Sequence, residues 1–169
     1  MDAPNSYPGA EKFSRAPNCQ WLNVRQIVDE VCASLTRRFV EQRIEAVTDV
    51  PRYLAAMADR EMLRTAVLNL VVNAVEAMPR GGRLVVTSYI GRNGLELEVA
   101  DSGPGLSDEA RRRAFEPYYT TKRDKTGVGL SVVRGIARAH GGDVVAANCP
   151  EGGAAFTLRF PPTVSRAAA

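Results

Sequence analysis

Three short stretches combine polar side chains and glycines in patterns that could hold a charged ligand. The first lies in "REMLRTAVLNLVVNAVEAMP", residues 60–79. At about 100° per residue, Asn69, Asn73 and Glu76 share one narrow sector of a helix surface. Leu63, Ala66, Leu70 and Ala74 point to a different side, and Leu68, Val72 and Val75 cover much of what remains. A helix apolar nearly all round is a buried one. Two amides and a carboxylate in its wall then need partners. They form either a satisfied structural hydrogen-bond cluster or a set of oxygens facing a cation or polar ligand. A hard cation such as Mg²⁺ takes oxygen ligands and keeps several waters, so one Asn carbonyl plus phosphate oxygens would suffice.

The second stretch is "ADSGPGL", residues 100–106, which follows the alternating "LELEVA". Gly103 and Gly105 would let a ligand approach the backbone closely. The carboxylate of Asp101 at the base of a pocket could accept from an exocyclic amine such as that of adenine. Taken singly, the same residues suit an Asp-Gly turn that ends a strand. The third stretch is "KTGVGLSVVRG", residues 125–135. It resembles a Walker A loop in the wrong order, because Lys125 and Thr126 precede Gly127 and Gly129. Unsatisfied backbone N–H groups at a helix start nevertheless bind anions without a lysine after the glycines. Lys122, Arg123 and Lys125 add positive charge within reach of phosphates.

These stretches need elements to position them. Asn23 caps a predicted helix from about Val24 to Val40, with Ile27, Val28, Val31 and Leu35 on one face. "RIEAVTDV" reads as a strand, followed by a short one near "RYLAAM". Asp59 caps the polar-sector helix, which continues to Met78 and stops at "PRGG". "GRLVVTSYIG" and "LELEVADS" flank the turn "RNG" as a hairpin. Ser107 starts a short helix, residues 116–127 form a polar loop, and a helix runs from about Gly129 to His140. "GGDVVAANCPEGGAAFTLRFP" supplies a final pair of strands. The mixture predicts an α+β fold, a two-layer α/β sandwich.

The 169 residues suffice for one domain with a proper core. A net charge of +3 with scattered arginines gives no case for nucleic acid as a partner. The cluster Arg111, Arg112 and Arg113 reads as a solvated helix face. Cys19, Cys32 and Cys149 are odd in number and far apart, which fits unpaired thiols in a cytoplasmic setting. No apolar stretch approaches a membrane span, so direct membrane contact is not expected. Residues 1–19 read as a linker, 20–163 as the domain and 164–169 as a tail.

Together, an acceptor for an amine, an amide for a metal and a glycine-opened helix for phosphates match the parts of one ATP. "LNLVVNAVEAMPRGG", "DSGPGL", "FEPYYTTK" and "GVGLSVVRGIARAHGG" resemble, in order, the N, G1, F and G2 boxes of sensor histidine kinases. That family shares the Bergerat ATP-binding fold with gyrase, Hsp90 and MutL ATPases, a mixed, mostly antiparallel sheet packed on three helices. The resemblance implies that Asn73 coordinates Mg²⁺, with Asn69 supporting the metal or its waters. It implies that Asp101 accepts from adenine, with Gly103 and Gly105 admitting the base. Thr126, Gly127, Val128, Gly129 and Leu130 would line the phosphates, and Lys122 would reach them from a lid spanning Phe115 to Thr126.

Hydrolases and anti-sigma-type serine kinases of the wider family resemble one another in a Glu four residues before the metal Asn. Here that position is Asn69, which cannot take a proton from water. This favours the kinase branch over the alternative, a self-contained ATPase or serine kinase. Glu76 departs from a Lys or Gln common in histidine kinases, and "GGAAF" lacks a hydroxyl often found beside adenine. His140, the only histidine, precedes a Gly pair at a helix end and reads as a cap or packing residue. "EKFSRAP" followed by "WLNVRQIVDEV" resembles the junction after a dimerisation helix. The implied partners are a histidine-bearing dimerisation domain and a response regulator.

Overall fold

The computed structural model describes residues 16–92, 94–122 and 126–162. Most of the expected linker, Asn93 of the hairpin turn, Arg123 and Lys125 of the expected phosphate loop, and the tail lie outside the described residues. β1 (Gln20–Asn23) leads into α1 (Val24–Ser34) and α2 (Thr36–Gln42), followed by β2 (Ile44–Asp49) and β3 (Ala55–Ala58). Next come α3 (Arg60–Ala77), the hairpin β4 (Gly82–Gly91) and β5 (Gly94–Asp101), and α4 (Asp108–Arg113). α5 (Gly129–Ala139), β6 (Asp143–Asn148) and β7 (Ala154–Phe160) complete the chain.

β2, β4, β5, β7 and β6 form one sheet in that order, and β1 pairs with β3 separately. β2 lies parallel to β4, and the other neighbours are antiparallel. A parallel pair needs a crossover, and α3 lies within that connection. Leu95, Leu97, Val99 and Asp101 alternate onto one buried face of β5, and Phe156, Leu158 and Phe160 do the same on β7. Strand periodicity therefore aims the Asp101 carboxylate at the layer where the helices sit. α3 packs against α1, α5 and β5, with Met62, Leu63, Ala66, Val67, Leu70, Val71, Ala74 and Val75 buried.

Two elements differ from the sequence expectation. The single helix expected from Val24 to Val40 divides at Leu35, where φ is −109° and ψ is 3°. The hydroxyl of Ser34 donates to Val31 O at 2.7 Å, and that of Thr36 donates to Ala33 O at 3.0 Å. Such back-bonding competes with the helical ladder. β1 was not expected as a strand; it forms by long-range pairing of Leu22 with Ala56. The three cysteines are unpaired. Among the described residues, no helix is long and apolar enough to cross a membrane.

Asp59 joins three parts of the chain. One carboxylate oxygen accepts from Met62 N at 3.0 Å, capping α3, and the other accepts from Asn18 N at 2.9 Å. Its own N–H donates to His140 Nε2 at 3.0 Å. The His140 ring stacks on Phe160 with centroids 4.3 Å apart, and its Nδ1 lies 2.9 Å from Ile136 O. With Nε2 accepting, the ring proton is assigned to Nδ1, donating to that carbonyl. Both nitrogens are thus engaged at the end of α5, and the packing expectation for His140 holds. Asp59→Ala should cost about 1–2 kcal/mol by removing the cap. Urea unfolding should show a lower midpoint with an unchanged slope; an unaltered midpoint would mean that α3 starts without help from Asp59.

Candidate nucleotide-binding site

A cavity of about 520 Å³ opens between the polar sector of α3, the end of β5, the loop after α4 and the start of α5. Asn69, Asn73, Asp101, Gly105, Lys122, Thr126, Gly127, Val128, Gly129 and Leu130 all line it. The structure thus brings together residues from three distant stretches of sequence. Gly103 is not among the lining residues. Its tightness is of another kind, since a Cβ there would come within 2.8 Å of Asp101 Oδ1 and 2.9 Å of Ala77 O.

Asp101 is only 4% exposed. Its Oδ1 accepts from Gly103 N at 2.9 Å and from Ala154 N at 3.4 Å. No hydrogen bond to Oδ2 is found among the described residues, so that oxygen is available to a ligand. Burial pushes the carboxyl above the usual aspartate range, against the opposing pull of these two N–H groups and the charge of Lys122. Ala154 lies in the stretch that lacks a hydroxyl, and its contribution is a backbone N–H. Asn148 supports the neighbouring loop: its Oδ1 accepts from Leu106 N at 2.7 Å and its Nδ2 donates to Leu106 O at 2.8 Å. Gly105, at φ +76°, packs beneath the same side chain.

The start of α5 differs from the starts of α1, α3 and α4. Asn23, Asp59 and Ser107 cap those helices with side-chain oxygens, whereas Val128 caps α5 with none. Among the described residues no side chain caps its first N–H groups, which border the cavity with the positive end of the helix dipole behind them. A Cβ at Gly129 would meet Asn69 Oδ1 at 2.9 Å, so glycine lets α5 start directly against α3. Asn69 Nδ2 donates back to Thr65 O at 2.9 Å. Gly127 has φ +67°, and its carbonyl accepts from Tyr118 N at 3.1 Å.

Lys122 enters the cavity from that loop. Its Nζ lies 3.2 Å from Asn73 Oδ1 and 3.1 Å from Glu76 Oε2. The Asn73 oxygen thus already faces a cation, and its donor chemistry suits a hard metal such as Mg²⁺. Among the described residues, no group of three His, Cys, Asp or Glu could hold a metal by itself. A metal here would draw its remaining ligands from phosphate and water. Leu106, Ala110, Ala114, Tyr119 and Phe156 supply apolar walls. Sequence reasoning missed Ala110 and Ala114, because apolar residues that line a pocket have the same pattern as those that fill a core.

Residues 58–164 match the family described as "Histidine kinase-, DNA gyrase B-, and HSP90-like ATPase". The signal transduction histidine-protein kinase AtoS of Escherichia coli (strain K12) is 30% identical over 154 residues, 89% of this chain and 25% of AtoS. The sensor histidine kinase ZraS of Klebsiella oxytoca is 40% identical over 115 residues, 68% of this chain and 25% of ZraS. The chain therefore spans about a quarter of the length of these curated relatives. The solved catalytic domain of the histidine kinase ThkA matches with a TM-score of 0.78 at 27% identity, covering 85% of this chain and 95% of that domain. ThkA has also been solved in complex with the response regulator protein TrrA, with a TM-score of 0.76. With residues 58–164 matched and sensor histidine kinases as its relatives, the chain belongs to the histidine kinase-, DNA gyrase B- and HSP90-like ATPase family, on its histidine kinase side.

Proposed function

We propose that this chain binds Mg²⁺·ATP and serves as the catalytic domain of a two-component sensor kinase. The γ-phosphoryl group would pass to a histidine on a dimerisation domain outside this chain, and from there to a response regulator. The observation that carries the reading is the convergence of Asp101, Asn73, Lys122 and the uncapped start of α5 on one cavity. Asp101 Oδ2 would accept from the adenine amine, and the α5 N–H groups would hold phosphate oxygens. Asn73 would hold the metal, which when bound neutralises phosphate charge. Lys122 would exchange its present partners for phosphate.

The acceptor imidazole's lone pair forms the N–P bond as the bond to the ADP oxygen breaks. The role of this chain is to orient the nucleotide so that these atoms lie in line. ATP hydrolysis or serine phosphorylation would need a base for water or a hydroxyl. Asn69 stands at that position with its Nδ2 committed to Thr65 O, which supports the histidine kinase reading. Residues 1–19 would join the domain, 20–163, to the dimerisation helices of a parent protein, with 164–169 a tail. Within that parent the domain would work in the cytoplasm, without direct contact with membrane or nucleic acid.

Two predictions follow from Asp101 and from the missing base. ATP and ADP should bind and GTP should not, because guanine presents a carbonyl where adenine presents its amine. Asp101→Asn keeps Oδ1 for Gly103 and Ala154 but turns a donor toward the adenine donor. ADP affinity by calorimetry should fall at least about tenfold, roughly 1.4 kcal/mol. The same variant should be more stable than the parent at neutral pH without nucleotide. The carboxyl holds its proton more tightly folded than unfolded, so its contribution to stability declines as pH rises from the ordinary aspartate value through the raised one. Amide replacement removes that penalty. Equal affinity for GTP and ATP would refute the adenine assignment.

The second prediction concerns turnover. Given γ-labelled ATP, the chain should not label itself and should label a supplied dimerisation domain only weakly, since separation forfeits proximity. Acid-labile label on His140 would contradict its engagement with Asp59 and Ile136. Label on serine, or rapid phosphate release that is lost on changing Asn69, would favour the serine kinase or ATPase alternative.

A further inference from the structure

Asn73 and Glu76 are three residues apart on α3, so their side chains emerge as neighbours on one face. Their oxygens converge on a single ammonium: Lys122 Nζ lies 3.2 Å from Asn73 Oδ1 and 3.1 Å from Glu76 Oε2. The pair is partly withdrawn from water, with the Glu76 side chain 16% exposed and that of Lys122 32% exposed. An ammonium is a compact point charge, and its position marks where the oxygens of this wall focus on a cation. Glu76 lines the same cavity as Asn73, Asp101 and the start of α5.

We propose that Asn73 and Glu76 form a cation seat that exchanges occupants: Lys122 fills it in this structure, and nucleotide-borne Mg²⁺ takes it over. This rests on the nucleotide reading above. Glu76 is then a metal-site carboxylate, supplying the negative charge that the neutral Asn73 carbonyl lacks. Mg²⁺ commonly binds through one or two carboxylates together with substrate phosphates, and Glu76 completes such a set. The two cations cannot share the seat. A dication held at 2.0–2.1 Å by the same oxygen would stand within a few ångströms of the ammonium, where a half-buried pocket strengthens repulsion several-fold over water. Lys122 is therefore expelled when the metal arrives, and the phosphates that bring the metal offer the ammonium new partners. Each cation keeps an anion throughout, and Lys122 changes its partners from α3 to the nucleotide.

The test is the factor by which Mg²⁺ strengthens ADP binding, measured by calorimetry in chelator and in excess metal. Lys122 gains its phosphate partner only as it leaves the seat, so its removal takes away a competitor of the metal and a phosphate contact together. Asn73→Ala sets the floor. Glu76→Gln should reduce the factor by about tenfold or more, the usual effect of removing a carboxylate that supports a metal. The same reduction should appear in a Lys122→Met background, where no ammonium occupies the seat. A salt bridge with a stability role alone would leave the factor unchanged by Glu76→Gln in either background and would overturn the proposal. So would a Glu76→Gln effect that disappears in the Lys122→Met background, since Glu76 would then act only by holding the lysine. If Glu76→Gln does not fold, Glu76→Asp in the Lys122→Met background decides: a reduced factor supports the exchange, and an unchanged one refutes it. Failure of the parent protein to bind ADP under either condition would instead refute the nucleotide reading.

Discussion

The architecture depends on the burial of α3. This helix lies inside the connection between two parallel neighbours of the sheet and packs on α1, α5 and β5 at once. A helix enclosed on so many sides can carry polar groups only where a gap remains. Beyond the first turns, whose Arg60, Glu61, Arg64 and Thr65 are not buried, that gap is the sector of Asn69, Asn73 and Glu76, and the start of α5 closes one side of it. Gly129 leaves room for Asn69, since a Cβ there would come within 2.9 Å of its Oδ1. The cavity is the space left between packed elements, and its depth comes from the same contacts that stabilise the core.

Electrostatics inside this space are arranged in opposition. Asp101 is a buried carboxylate, restrained on one oxygen by two backbone N–H groups and raised in pKa by loss of water. Across the cavity, Glu76 and Asn73 face the Lys122 ammonium, while α5 presents first N–H groups that no side chain caps among the described residues. A ligand with a hydrogen-bond donor at one end and several negative charges at the other satisfies all three. Asp101 is held by backbone N–H groups and the start of α5 by its helix, so these two need little reorganisation when such a ligand binds. The contact of His140 with Asp59 joins the far ends of the same two helices. The angle between the walls of the cavity is therefore supported from outside it.

Much of this was legible in the order of residues. Caps at Asn23, Asp59 and Ser107 follow from local chemistry and appear as expected. Alternation in β4 and β5 announces a hairpin with one buried face, and the sector of Asn69, Asn73 and Glu76 follows from helical periodicity alone. The break at Leu35 was less legible, because Ser34 and Thr36 are compatible with a helix until their hydroxyls take its carbonyls. β1 could not be read at all. Its hydrogen bonds belong to residues 55–58, and a strand made by long-range pairing leaves no mark in four residues.

By itself, then, the sequence determined the elements other than β1 and the break at Leu35, together with the family and the residue types that line the cavity. These depend on interactions within a few residues of one another, or on motifs whose spacing is conspicuous along the chain. Tertiary structure decided which apolar residues line the cavity rather than fill the core. It also decided that the backbone N–H groups of Gly103 and Ala154 both hold Asp101 Oδ1. The partnership of Lys122 with Glu76 and Asn73 joins positions far apart in the chain. Such contacts are products of packing: they exist only once the core has closed and brought distant backbone within hydrogen-bonding distance.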